Sequence, residues 1–304
     1  MKIFKALASG FCKTLKAWHG ILLIWLGSLL TVSLVALPVK EFFKSALGGS
    51  MITERLMEGI DVEVLGDIGS GFRNLISSFP MGWLLLILTG ILLGAFLNGG
   101  IFNRLKASSG KFSFPEFFRA SAKNFWPFLV ISVTISLIIC MLSLLIIVLP
   151  VVIVASSEST SASETAPFLT ALISIVCFLL ISLIFTLAAD YARAWHVTQE
   201  RQACFAALGF GFRRAFGTFM SSYPMMLVLF VIQVIFTLLV MVFLSRWKAE
   251  TGSSVFLLFV VSQMLFYIKT GLKVWRYGSV TALKEINDTK EHEAEIIVNP
   301  AMTV

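Results

Sequence analysis

The residues of this chain best equipped for chemistry are three histidines, four cysteines and one aspartate, and their spacing excludes most of what they can do. His19, His196 and His292 lie on three separate segments, none with a partner at metal-ligand spacing, so no metal site is expected. Cys12, Cys140, Cys177 and Cys204 form no Cys-x-x-Cys pair. Cys140 and Cys177 sit inside apolar runs as small fillers, and the other two belong to the side read below as reducing, so no disulfide is expected. There is no phosphate-binding glycine loop, no Gly-x-Ser-x-Gly elbow, and no pair of acids within an apolar run. Intramembrane proteolysis and proton coupling depend on ionisable groups at depth. Neither is expected here, nor any cofactor.

Asp190, in ADYAR, is the one acid that abuts an apolar run, and its carboxylate needs a partner. Arg193, three residues on along one helix face, is the nearest candidate, with Lys269 or Arg104 available if the segments converge. The reading is a structural ion pair holding helix ends together; the functional alternative is a gate or headgroup site.

The elements that must position these residues follow from composition. Of 304 residues, 58% are hydrophobic and 13% charged, with a mean hydropathy of +0.91, whereas soluble domains carry about 25% charged residues. Six apolar runs are long enough to cross a bilayer: 17–39, 80–102, 126–155, 166–189, 223–244 and 253–275. The first five contain no Asp, Glu, Lys or Arg; the sixth has Lys269 and Lys273 near its end, where long side chains reach the headgroups. The third run is longer than a bilayer requires and must tilt, or break near Pro150.

Basic residues set the orientation. The amino-terminal segment carries four, the loop after the second run five, the loop after the fourth four and the carboxyl end five, against six on the opposite loops. This asymmetry places both termini in the cytoplasm. The net charge of +7 is thus a topology signal with a secondary attraction to anionic lipid, not a nucleic-acid interface.

FKALASGFCKTLKAW (Phe4–Trp18) leads into the first run, whose length exceeds the apolar core of a cleavable signal, so the segment is a retained amphipathic helix. Bulky residues recur at +3, +7, +11 and +14 from Phe4 and from Phe205, and from Phe114 with Ser121 in one place. A cation stands at +9 each time: Lys13, Lys123 and Arg214. Each segment precedes an odd-numbered span. The expected fold is therefore all-α, a polytopic membrane protein of six transmembrane helices over residues 1–284, as three repeats of cytoplasmic amphipathic helix plus transmembrane hairpin. Lys13, Lys123 and Arg214 are then candidate contacts for anionic headgroups, with Phe in the acyl boundary; the equal alternative is that the segments pack on the cytoplasmic face of the bundle as elbow helices. The even runs close on GGIFNR, ADYAR and GLKVWR, each ending in arginine. In the middle unit Ser113 and Glu116 form a capping-box signature.

The outer loop 40–79 is expected to hold short helices over Met51–Glu58 and about Val62–Ser77, lying as a lid. The loop Ser156–Pro167 is low in complexity, and the tail 285–304 is expected to be mobile. Gly90, Gly94 and Gly99 are spaced for close helix contact, and Gln233 and Gln263 are placed to hydrogen-bond between helices.

SMITERLMEGID in the outer loop, GGIFNRL, FPEFFRASAKNFWPF and DYARAWHV together resemble uncharacterised bacterial six-span integral membrane proteins. More distantly, the chain is similar to the membrane domain of some glycerophosphodiester phosphodiesterases; it lacks their soluble domain, so no activity is implied. The resemblance implies a bacterial inner-membrane setting. The expected function is non-enzymatic, organising lipid or partner proteins through a basic cytoplasmic face. A transporter or channel for a small or amphipathic solute is the alternative.

Overall fold

The structure, a computed structural model, describes residues 2–47, 70–106, 112–157, 165–199, 203–247 and 251–298. Among the described residues every regular element is a helix: α1 (Lys2–Lys16), α2 (Trp18–Leu47), α3 (Ser70–Lys106), α4 (Phe114–Ser143), a π-helical turn (Leu144–Val148), α5 (Leu149–Ser157), α6 (Thr165–Thr198), α7 (Cys204–Gly217), α8 (Phe219–Arg246) and α9 (Gly252–Val298). Five stretches are long and apolar enough to cross a membrane: Leu84–Lys106, Phe114–Val154, Phe168–Thr198, Phe219–Arg246 and Gly252–Lys290. Lys2–Lys16 and Trp18–Leu34 add a sixth if taken together as a pair bent by 71°. This is the make-up of a multi-pass membrane protein.

The chain falls into two bodies, residues 23–94 and residues 1–22 with 95–304. In the smaller body three hydroxyls return to their own helices. Ser28 donates to Ile24 O, Thr31 to Gly27 O and Thr89 to Leu85 O, which satisfies them without a partner helix. The expected helix at Met51–Glu58 lies outside the described residues. From Ser70 onward the second expected loop helix is instead the start of α3, continuous with the span.

In the larger body three amphipathic segments dock through their smallest residues. α1 buries Ala6, Gly10 and Thr14 against α9. A Cβ at Gly10 would lie 2.5 Å from Ser279 N, and one at Gly278 would lie 2.7 Å from Gly10 O, so the two backbones touch. α7 buries Ala207, Leu208, Gly211 and Ala215, and a Cβ at Gly211 would collide with Ala188 O of α6. The first turns of α4 bury Phe117, Ala120, Ser121 and Asn124; a Cβ at Gly99 of α3 would meet Asn124 Cβ at 3.1 Å and Ser121 Cα at 3.2 Å. Between membrane helices there is little hydrophobic gain from association, so close backbone approach over small residues supplies the packing energy.

Beneath these contacts lies an aromatic and aliphatic core. Phe102 packs edge-on against Phe128 at 5.7 Å and tilted against Tyr277 at 4.8 Å. Leu187, Tyr191, Met225, Met226, Leu229, Val280 and Leu283 form one buried cluster, and Ile131, Ile135, Ala189, Ala192, Ala207 and Leu208 another. Full burial stops at Ile135 in α4 and Leu229 in α8; beyond these points the helices are apolar, with partly buried residues such as Ile138, Ile139 and Phe230 still packing on the clusters.

Several expectations change. The Phe114–Phe125 segment is not a separate helix, because α4 runs unbroken from it into the span. Gly217 and Thr218 stop α7, but no glycine stands between Ala120 and Phe128, and Pro127 frees a carbonyl without ending the helix. Ser113 is at the N-cap with extended backbone but its side chain makes no cap bond; Pro115 has removed one amide that such a cap serves. Near Pro150 the third run does not break. The ladder slips by one residue, with Leu149 N–H donating to Leu144 O, a π turn that absorbs the missing proline donor. Of the tail at 285–304, expected to be mobile, residues 285–298 continue α9 as helix to Val298, and 299–304 lie outside the described residues. Glu285 and Asp288 are held by ion pairs, and Ile286 packs on the core cluster.

Candidate functional site: the basic end of the bundle

α6 and α9 meet at Asp190, with α4 alongside. Its side chain is fully buried, and a carboxylate there is tolerable only if paired. Arg193, one turn on, donates from Nη1 to Oδ1 at 3.1 Å and from Nη2 to Ser132 Oγ at 3.1 Å, tying α6 to α4. Arg276 of α9 brings Nε to 2.9 Å from Oδ2, off the line a hydrogen bond prefers, while its guanidinium lies 5.2 Å from the Tyr277 ring centre. One carboxylate thus holds two guanidinium groups from two helices. Next to it, Tyr191 OH and Ser222 Oγ share a 2.7 Å hydrogen bond, and Ser222 shares another of 2.7 Å with Thr218 at the α7–α8 junction.

Two lysines serve the carboxyl end of α6, where carbonyls lack helical partners. Lys106 of α3 donates to Val197 O at 3.2 Å, and Lys284 of α9 donates to Thr198 Oγ1 at 3.2 Å.

Of the expected ion-pair cluster, Asp190 and Arg193 come together. Lys269 does not join them; it is exposed on α9. Arg104 is half-buried and lines a shallow recess with Ser113 and Glu116. The second cation is Arg276, which sequence reasoning missed although GLKVWR ends on it; the shared terminal arginine of the three even runs was the signal.

The three expected headgroup cations stand in different surroundings. Lys13 Nζ lies 2.6 Å from Glu285 Oε2, and Arg214 Nη2 lies 2.9 Å from Asp288 Oδ1, so both are neutralised within the chain. The carboxylates are about half exposed, so each pair contributes about 1 kcal/mol or less. Lys123 is on the exposed face of α4. The packing glycines also shift: a Cβ at Gly90 or Gly94 would meet nothing within 4 Å among the described residues, and close contact begins at Gly99. Gln233 and Gln263 are half-buried, and among the described residues neither side chain bonds to a neighbouring helix. Gln233 stands one turn past Leu229, beyond the tightly packed zone.

The outward faces at this end combine bulk and charge. Phe4 is 79% exposed and Phe205 72%, with Phe11, Leu15, Trp18, Phe114, Phe118 and Phe216 also outward. Between them lie exposed Lys2, Lys5, Lys16, Arg119 and Arg213. The amphipathic segments therefore have two working faces: small residues toward the bundle, and large aromatic residues with cations away from it. No family model, curated protein or solved structure matches the chain.

Proposed function

We propose that this chain is a non-enzymatic protein of the bacterial inner membrane that organises anionic lipid through its basic end, with both termini in the cytoplasm. The observation that carries the reading is the outward pairing of Phe4, Phe11, Phe114 and Phe205 with Lys5, Lys16, Arg119 and Arg213. Aromatic rings suit the acyl boundary, and cations suit phosphate headgroups just above it. The resemblance to bacterial six-span proteins supports the setting. Three repeats of amphipathic segment plus hairpin give the arrangement its logic. The second segment docks on α3, the third on α6 and the first on α9, so the cycle closes through contacts at Gly99, Gly211 and Gly10. The alternative, a transporter or channel for a small or amphipathic solute, draws on the same repeat. The filling of this end by Phe102, Phe128, Tyr277 and Tyr191 favours the lipid reading.

Each surface cation contributes about 1 kcal/mol toward an anionic membrane, so four together approach about 4 kcal/mol. Replacing Lys5, Lys16, Arg119 and Arg213 by Gln is expected to lower retention of phosphatidylglycerol at least about tenfold in native mass spectrometry, with phosphatidylcholine unaffected. Unchanged retention in a folded variant would remove the lipid reading. The orientation is tested separately: reporters fused at Gln199 should read cytoplasmic and at Arg246 external. The reverse result would place the basic end against the wrong leaflet.

A further inference from the structure

The last helix does not stop where its apolar run stops. On the extension of α9, Glu285 and Asp288 stand one turn apart on one face. Lys13 Nζ donates to both oxygens of Glu285, at 2.7 and 2.6 Å. Asp288 meets Arg214 at 2.9 Å through one oxygen and Lys284 at 3.2 Å through the other. Lys13 and Arg214 occupy the same place in α1 and α7, nine residues after Phe4 and Phe205. Their side chains are 11% and 13% exposed, while those of the two acids are 49% and 45% exposed. The carboxylates therefore approach recessed cations from the solvent side, as an anion arriving from outside would.

Half-exposed pairs of this kind weaken with salt and exchange readily for another anion. Asn287 lies between the two acids, 8% exposed, and its Nδ2 has no hydrogen-bond partner among the described residues. Lifting the extension would return that amide to water, which lowers the cost of release. Leu283, fully buried in the core cluster, marks where α9 stays fixed, and the partly buried Ile286 is the apolar contact that release gives up.

We propose that the extension of α9 is an acidic latch. Glu285 and Asp288 hold places that anionic phospholipid headgroups take, and lipid binding at Lys13 and Arg214 frees the helix from Glu285 onward. The inference rests on the lipid reading above and adds its regulation: the extension reports whether the membrane surface is anionic.

Hydrogen exchange of the full chain in nanodiscs tests this without any substitution. Amides of 285–298 should exchange about fivefold faster in phosphatidylglycerol than in phosphatidylcholine. Inorganic phosphate added to phosphatidylcholine discs, at matched ionic strength, should leave them unchanged. Glu285→Gln with Asp288→Asn should raise phosphatidylglycerol retention about fivefold and make exchange fast in both lipids. If the chain retains phosphatidylglycerol but 285–298 exchange alike in the two lipids, the latch is wrong and the lipid reading stands. Acceleration by phosphate alone would assign the site to soluble anions and overturn the lipid latch. Equal retention of both lipids would overturn the latch together with the reading it rests on.

Discussion

Adding one methyl group at Gly211 is expected to destabilise the protein by about 1–3 kcal/mol, although the same change two residues earlier stabilises it. Both glycines lie on α7, where alanine is intrinsically favoured by about 1 kcal/mol. At Gly209 a Cβ meets nothing within 4 Å, so Gly209→Ala should realise that gain. At Gly211 it would meet the backbone oxygen of Ala188, which cannot swing aside as a side-chain tip can. Gly10→Ala should behave like Gly211→Ala, since the obstacle is Ser279 N and Cα. The two contacts lie on different helix pairs, so the losses should add. Leucine at either site should leave the amphipathic helix undocked. Thermal unfolding in mild detergent reads the sign, and Gly211→Ala matching Gly209→Ala would refute the backbone contact.

The second large effect is at Asp190. Removing the carboxylate by Asp190→Ala leaves Arg193 and Arg276 packed together without counter-charge. Breaking a buried pair in this way costs about 3–5 kcal/mol. Because the Arg276 side chain is 20% exposed, the lower end is expected, about 3 kcal/mol, seen as loss of monodisperse protein and a lower unfolding temperature. Asp190→Leu combined with Arg193→Met and Arg276→Met should recover most of that loss, since no charge then needs a partner. A stable Asp190→Ala protein would mean that water reaches the guanidinium groups.

The spanning helices were legible because a bilayer demands about 20 apolar residues in a row and tolerates few charges. Asp190 and Arg193 were legible because a helix brings i and i+3 together. The docking of the amphipathic segments was half legible. Their bulky stripe at Phe4, Phe11 and Leu15 was conspicuous, but that stripe faces outward, and the bundle is gripped by Ala6, Gly10 and Thr14. In water the large apolar face would have been buried; beside lipid, the small face is the one that packs. Gly90 and Gly94 match the same small-residue spacing without such contact, because spacing says nothing of what stands opposite. Arg276 for Asp190 and Glu285 for Lys13 were beyond local reasoning. Those pairs join residues 86 and 272 positions apart, and nothing periodic links them.

The docking of α1 on α9 also sets a timetable for biosynthesis. Trp275 Nε1 donates to Leu7 O across 268 residues of sequence, so the α9 seat of α1 does not exist until those residues have been made. At about 5–20 residues per second, the ribosome needs roughly 13 to 54 seconds to reach it. Throughout that interval Gly10 lacks the Ser279 backbone it packs against, while Phe4, Phe11 and Leu15 can already rest in the bilayer surface. The outward aromatic face thus gives α1 a place to wait, and α9 completes the contact only when it emerges 268 residues later.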